Sequence, residues 1–127
     1  MLPLRHGSLW QAASVALVGL VVWGSLGPGM DVPVVGRLDK LQHCGAYAFL
    51  MVWFSGMHPR TRYAAIAVGL LGLGLALEVG QFLMAAGRQG DAYDMAANAL
   101  GVGLGLIAAR RSAGGWTPRV EAWLGRN

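Results

Sequence analysis

Residues 63–86 read YAAIAVGLLGLGLALEVGQFLMAA, and Glu78 is the one charged side chain in this stretch. A helix that crosses a membrane needs about 20 mostly apolar residues, so this stretch predicts a membrane-spanning helix. The whole chain agrees, because 55% of its 127 residues are hydrophobic and only 13% are charged. Soluble domains have about 25% charged residues, and disordered chains have low hydrophobicity. The composition therefore excludes a disordered chain and argues against an ordinary soluble domain.

Three further apolar stretches predict three more spans. They run from Trp10 to Leu26, from about Lys40 to Met57 and from about Tyr93 to Ala109. The second ends at His58-Pro59, because the residue before a proline avoids the helical conformation. We therefore expect an all-α polytopic membrane protein. Its four transmembrane helices occupy residues 1–111, and residues 112–127 form a cytoplasmic or interfacial tail.

The first stretch is interpreted as a retained span rather than a cleaved signal peptide. Arg5 supplies the basic start that a signal peptide needs. However, the apolar run is longer than a typical signal-peptide core, and no A-x-A-like cleavage site follows it.

The tail permits two interpretations. Thr117 is a candidate helix N-cap, with Pro118 at the first helical position. The tryptophans and arginines of the tail fit a short helix lying in the membrane interface. A loose chain end is the alternative.

The basic residues predict the orientation, since cytoplasmic loops of membrane proteins are enriched in Lys and Arg. The net charge is +4, from ten basic and six acidic residues. The side with both termini carries Arg5, Arg60, Arg62, Arg110, Arg111, Arg119 and Arg126, and the other side carries Arg37, Lys40 and Arg88. We therefore expect both termini in the cytoplasm and no nucleic-acid partner. The single cysteine, Cys44, excludes an internal disulfide.

Small residues recur every four positions on the last two spans, a spacing that lets helices approach closely in lipid. The two stripes are Ala97, Gly101, Gly105 and Ala109 on the fourth span, and Gly72, Ala76 and Gly80 on the third. A phosphate-binding loop is a poor interpretation of Gly101-x-Gly103-x-Gly105, because no strand precedes it. Either stripe, through Gly101/Gly105 or Gly72/Gly80, can pack within the chain or against a second copy.

Polar side chains concentrate near the outer ends of three spans. Asp39, His43 and Tyr47 share one helix face, since residues four apart are neighbours on a helix. A charged group inside a span costs about 2.5 to 3.5 kcal/mol on insertion scales and is functional by default. The sequence predicts an outward pocket lined by Asp39, Lys40, His43, Tyr47, Glu78, Gln81, Arg88, Asp94 and Asn98.

Arg88 and Lys40 are suited to bind a phosphate or carboxylate, whereas His43 and Glu78 are suited to move protons. A divalent metal held by His43, Glu78, Asp39 and Asp94 is a weaker alternative, because no dedicated metal-ligand spacing is present; we therefore expect neither a metal nor a cofactor. The alternative is a network in which the charges neutralise one another and only fix the helix register.

The ordered polar blocks resemble the VanZ-like family of small bacterial membrane proteins. The blocks are Asp39-Lys40-x-x-His43-x-x-x-Tyr47, Glu78-x-x-Gln81 and Arg88-x-x-Asp91-x-x-Asp94-x-x-x-Asn98-x-x-Gly101. The resemblance covers about residues 36–109. The family takes its name from an accessory protein of glycopeptide resistance linked to teicoplanin. The resemblance implies a cell-envelope role in the bacterial inner membrane, and it implies no specific reaction.

Three functions are compatible with this sequence. The first is binding of an anionic lipid or a lipid-linked envelope intermediate. The second is a membrane hydrolase or transferase that acts on a lipid head group, with His43 and Glu78 as general acid and base. The third is a structural or assembly subunit joined through the glycine stripes. The sequence leaves open whether the protein is an enzyme.

Overall fold

The computed structural model describes residues 1–26, 36–84 and 92–125, and for residues 36–39 and 92 it describes the backbone alone. All regular secondary structure in these ranges is helical, which confirms the predicted all-α class. The helices are α1 (Gly7–Leu26), α2 (Gly36–Met57), α3 (Tyr63–Leu83), α4 (Ala92–Ala108) and α5 (Trp116–Leu124). A 3-10 turn over Arg60–Arg62 precedes α3, and a π-helical turn over Ala109–Ala113 follows α4.

Two helices in the described ranges are long and apolar enough to cross a membrane. They are α1 and the helical stretch Arg60–Leu83, which contains α3. The other two predicted spans also form helices, of 22 residues in α2 and 17 in α4. The first two turns of α2 carry polar and charged residues, among them Lys40, and α4 is shorter than the other long helices.

The end of α2 lies where the proline predicts it. The helix stops at Met57, and Pro59 has an extended conformation with ψ of 155°. The Tyr63 hydroxyl donates a hydrogen bond to the Ser55 carbonyl over 3.2 Å. This bond ties the start of α3 to the end of α2, so the two helices run in opposite directions.

Neighbouring helices alternate in direction. The N-terminal half of α1 contacts the C-terminal half of α2, where the Trp53 indole donates to the Ser14 hydroxyl over 2.9 Å. In contrast, α2 and α4 run parallel, because Gly101 lies beside Cys44 and Gly105 beside Ala48. The bundle therefore has one end with both chain termini, called the termini end here. At the opposite end, called the polar end, α2 and α4 begin and α3 finishes.

The contact between α2 and α4 depends on the glycine stripe of α4. A Cβ atom at Gly101 would lie 2.2 Å from the Cys44 carbonyl oxygen, and one at Gly105 would lie 2.6 Å from the Ala48 carbonyl oxygen. Ala97 and Ala109, at the two ends of the stripe, are also buried. The partner of this stripe is therefore α2 of the same chain.

The small residues of α3 are in a different environment. Gly72 and Ala76 are exposed, and nothing in the described parts of the chain lies within 4 Å of a Cβ atom built at Gly72. A Cβ atom at Gly80 would lie 3.2 Å from the Leu26 side chain of α1. Within the chain, this stripe therefore packs at its Gly80 end, and its use by a second copy stays a prediction.

The tail forms a helix, but it does not begin as the sequence predicts. The N-cap of α5 is Gly115, which has a left-handed φ of 64° and donates its N–H to the Ser55 carbonyl over 3.1 Å. The predicted N-cap, Thr117, lies inside the first turn and is fully buried. The N-cap prediction was therefore wrong, because a preceding glycine turns the chain back against α2.

Three tryptophans join α5 to the bundle at the termini end. The Trp116 ring lies 5.4 Å from the Trp10 ring and 5.3 Å from the Trp53 ring, measured between centroids. The Trp116 indole N–H also donates to the Val52 carbonyl over 3.1 Å. These contacts exclude the alternative of a loose chain end for residues 116–124.

Glu121 of α5 caps the N-terminus of α1. Its carboxylate accepts hydrogen bonds from the backbone N–H groups of Arg5 (2.7 Å) and His6 (2.8 Å) and from the Trp10 indole (2.9 Å). Desolvation alone would raise the pKa of Glu121, but the bonds from these N–H groups favour the charged form, so its pKa lies below the usual value. The first and last helices are thus held together.

The α2–α4 contact predicts that alanine substitutions at two glycines of α4 have different effects on stability. Gly101→Ala should destabilise the bundle by about 1–3 kcal/mol, the usual cost of overpacking. Gly103→Ala is the matched control, because nothing described lies within 4 Å of its Cβ position. The control should be neutral or slightly stabilising. The measurement is unfolding in mixed detergent followed by circular dichroism, and equal stability of the two variants would contradict this packing.

The Glu121 contact predicts that wild type and Glu121→Gln differ in thermal stability, and that this difference depends on pH. A carboxyl with a lowered folded-state pKa stabilises at neutral pH, and this contribution is lost as the pH falls below the ordinary value of 4.5. The melting temperature of the wild type should exceed that of the variant at pH 7, and the gap should close in acid. A gap that is the same at both pH values would rule out this capping role.

Candidate functional site

The polar end of the bundle contains an ion pair between α2 and α4. The Lys40 ammonium contacts the Asp94 carboxylate, and their side chains are 31% and 12% exposed. Asp94 lies in the first turn of α4, where the helix dipole stabilises a negative charge. The pair therefore lies at the boundary between the bundle interior and its surroundings.

His43 lies one turn below Lys40 and contacts two side chains of α4. Its Nδ1 atom lies 3.1 Å from the Asn98 Oδ1 atom, and its Nε2 atom lies 3.9 Å from the Asp94 Oδ2 atom. Because α2 and α4 are parallel, pairs three or four residues apart on each helix meet side by side. The sequence predicted this convergence of the second and fourth spans.

Below these contacts, α3 joins the cluster through a glycine. A Cβ atom at Gly74 would lie 3.2 Å from the Tyr47 hydroxyl and 3.1 Å from the Asn98 amide nitrogen. Tyr47 is 2% exposed, and its hydroxyl has no hydrogen-bond partner in the described parts of the chain. Gly74 lets α3 approach closely enough to enclose this hydroxyl.

Glu78 follows Gly74 by one helical turn and is 9% exposed. Gly74 lies against Tyr47 and Asn98, so Glu78, one turn further on the same face of α3, belongs to the same end of the bundle. The sequence analysis missed Gly74 as part of this cluster. The available signal was its position four residues before Glu78, which puts both on one helix face.

Gln81 is not part of the α2–α4 contacts. Its side-chain amide donates to the Ser25 carbonyl of α1 over 2.9 Å. The structure therefore shows Gln81 joining α3 to α1, and its role in ligand binding stays a prediction. Two other predicted residues, Arg88 and the Asp39 side chain, lie outside what the structure describes.

The cluster offers three kinds of chemical group. Lys40 supplies a cation, Asp94 and Glu78 supply carboxyl groups, and His43 supplies an imidazole that can donate or accept a hydrogen bond. Among the described residues, no three His, Cys, Asp or Glu side chains are grouped so that they could hold a metal ion. The described arrangement is suited to bind a charged polar group.

No family model matches the chain, and no curated protein or solved structure matches it significantly. The function therefore has to be argued from the chemistry of the polar end.

The Lys40–Asp94 contact predicts energetic coupling between α2 and α4. Lys40→Ala and Asp94→Asn should each destabilise the bundle, because each removes the ionic contact between α2 and α4. The double variant should be less destabilised than the sum of the two by about 1–2 kcal/mol, a typical coupling for residues in contact. A detergent unfolding series measures all four proteins.

The matched control for this cycle pairs Asp94→Asn with Arg62→Ala, which removes an exposed cation at the termini end. That second cycle should be additive. Additive behaviour in the Lys40–Asp94 cycle as well would contradict a direct interaction.

Proposed function

We propose that the chain is a four-span membrane protein of the VanZ-like type that binds a lipid head group at its polar end. The ligand is an anionic lipid or a lipid-linked intermediate of the cell envelope, and its phosphate contacts Lys40 and His43. Support for four spans comes from the alternating directions of α1 to α4, since each crossing reverses the chain. Support for the site comes from the one-sided placement of the charged groups.

The main observation behind the proposal is that the charged side chains of the helices lie at one end of the bundle. In α1 to α4, the charged side chains that the structure describes are Lys40, Glu78 and Asp94, and all three lie at the polar end together with His43. Such groups inside a membrane are costly and mark ligand or ion sites. Lys40 and His43 are also partly exposed, so a ligand can reach them.

The proposed orientation places the termini end in the cytoplasm. The exposed arginines at this end are Arg5, Arg60, Arg62, Arg110, Arg111 and Arg119. Membrane proteins retain such basic segments on the cytoplasmic side. The polar end then faces the outer leaflet of the bacterial inner membrane, where envelope intermediates carry their head groups.

The VanZ-like assignment is supported by the order and spacing of the polar blocks. Lys40, His43 and Tyr47 come from the first block, and Asp94 and Asn98 come from the third. In the fold these five side chains adjoin one another. The resemblance favours a role in the cell envelope, and it does not imply that this protein confers antibiotic resistance.

A role limited to packing is less well supported. The α4 glycine stripe already brings α2 and α4 into backbone contact at Gly101 and Gly105. An ion pair is not needed to create that contact, and buried ion pairs contribute little net stability compared with apolar residues. The polar groups therefore call for a separate explanation.

A membrane enzyme is the second candidate, favoured by the environment of His43. Both ring nitrogens face polar side chains of α4, and such contacts orient an imidazole for proton transfer. Turnover of a phospholipid head group that is lost in a folded Glu78→Gln variant would distinguish this candidate from a binding protein.

The proposed function predicts that lipid retention depends on Lys40, the one lysine in the sequence. Lys40→Ala should lower the retention of phospholipid by about tenfold or more, because hydrogen bonds to charged groups contribute roughly 1.5–3 kcal/mol. The measurement is native mass spectrometry of protein extracted in mild detergent. The control is Arg62→Ala, which removes the same charge at the termini end.

Equal lipid retention by wild type, Lys40→Ala and Arg62→Ala would contradict binding at the polar end. Loss in Arg62→Ala alone would place the lipid at the termini end instead. Circular dichroism of each variant checks that the helices are intact.

A further inference from the structure

The charges at the polar end do not favour a ligand that is only an anion. Among the residues whose side chains the structure describes, this end has one strongly basic side chain, Lys40, and two acidic ones, Glu78 and Asp94. In the structure, the cation Lys40 is already paired with Asp94. A phosphate adds further negative charge to an end where acids outnumber bases.

A phosphate bound to Lys40 would lie beside the Asp94 carboxylate, because the ammonium has three donors and already contacts Asp94. The Asp94 side chain is only 12% exposed, so water screens the repulsion between the two anions incompletely. A ligand that contacts Lys40 alone would therefore bind against the repulsion of Asp94.

The two charged groups cannot avoid this conflict by a separation of their helices. The backbones of α2 and α4 are in contact where Gly101 meets Cys44, about one turn below Lys40 on α2 and about two turns below Asp94 on α4. The groups that bind Lys40 and Asp94 must therefore be neighbours within one head group.

We infer that the ligand bears a hydrogen-bond donor, an ammonium or a hydroxyl, beside its phosphate, and that the donor binds Asp94 while the phosphate binds Lys40. The inference rests on the proposed function and specifies its ligand. The donor then lies between the phosphate and the Asp94 carboxylate and offsets their repulsion. Ethanolamine phosphates and glycerol or sugar phosphates have this chemistry, whereas a bare phosphate monoester does not.

The test compares four phospholipids with identical acyl chains, offered as an equimolar mixture to the purified full-length chain. Phosphatidylethanolamine carries an ammonium donor and phosphatidylglycerol carries hydroxyl donors. Phosphatidylcholine has a quaternary ammonium without an N–H, and phosphatidic acid has a bare phosphate. Native mass spectrometry measures how much of each lipid the wild type retains beyond the amount retained by Lys40→Ala.

We expect the two donor-bearing lipids to exceed the other two by about tenfold in this Lys40-dependent fraction, which corresponds to about 1.4 kcal/mol. Asp94→Asn should abolish the preference and raise the binding of phosphatidic acid, because the variant removes the carboxylate that lies beside the bound phosphate. A preference for phosphatidylethanolamine would identify the donor as an ammonium, and a preference for phosphatidylglycerol would identify it as a hydroxyl.

Each other outcome has a definite meaning. One outcome is that phosphatidic acid is retained to the same extent as the donor-bearing lipids, with a retention that depends on Lys40. In that case the inference fails and the proposed function stands. If the preference persists in a folded Asp94→Asn variant, the role of Asp94 is overturned. If no lipid differs between wild type and Lys40→Ala, the proposed function itself fails. The lipid comparison uses the wild type, so it holds even if Asp94→Asn does not fold.

Discussion

The close approach of α4 to α2 is the contact on which the rest of the structure depends. Gly101 and Gly105 leave no room for a side chain between the two backbones. In lipid, where the hydrophobic effect does not drive helices together, such small residues supply the packing energy. The contact fixes the register of two parallel helices, and the register then brings Lys40 to Asp94 and His43 to Asn98.

The two ends of the bundle serve different purposes. At the termini end, Trp116 and Glu121 of α5 hold the start of α1 against the end of α2, and the arginines remain exposed. At the polar end, an ion pair, an imidazole and a buried carboxyl group lie where three helices meet. A structural role explains the first arrangement, and ligand binding is the function that we propose for the second.

Much of the fold was predictable from sequence because apolar length and proline position are strong signals. Pro59 set the end of α2, and four-residue spacing identified the α4 stripe. The same spacing on α3 did not indicate that Gly72 is exposed, because periodicity says which residues share a face and not what covers it. Thr117 was predicted wrongly as the N-cap of α5. The N-cap is Gly115, whose left-handed conformation favours glycine over residues that carry a side chain. The partners of Gln81 and Glu121 are distant in sequence, so no local pattern reveals them.

The central claim is that Lys40 binds a lipid phosphate. Since Lys40 is the one lysine in the chain, ¹⁵N-lysine labelling gives a single ammonium signal in membranes, and its dipolar coupling to ³¹P measures the distance to the phosphate. The account predicts a coupling that places the nitrogen within about 4 Å of a phosphate oxygen, the range of an ion pair. An ammonium that shows no coupling to ³¹P in any lipid that the protein retains, and stays paired with Asp94, would contradict it.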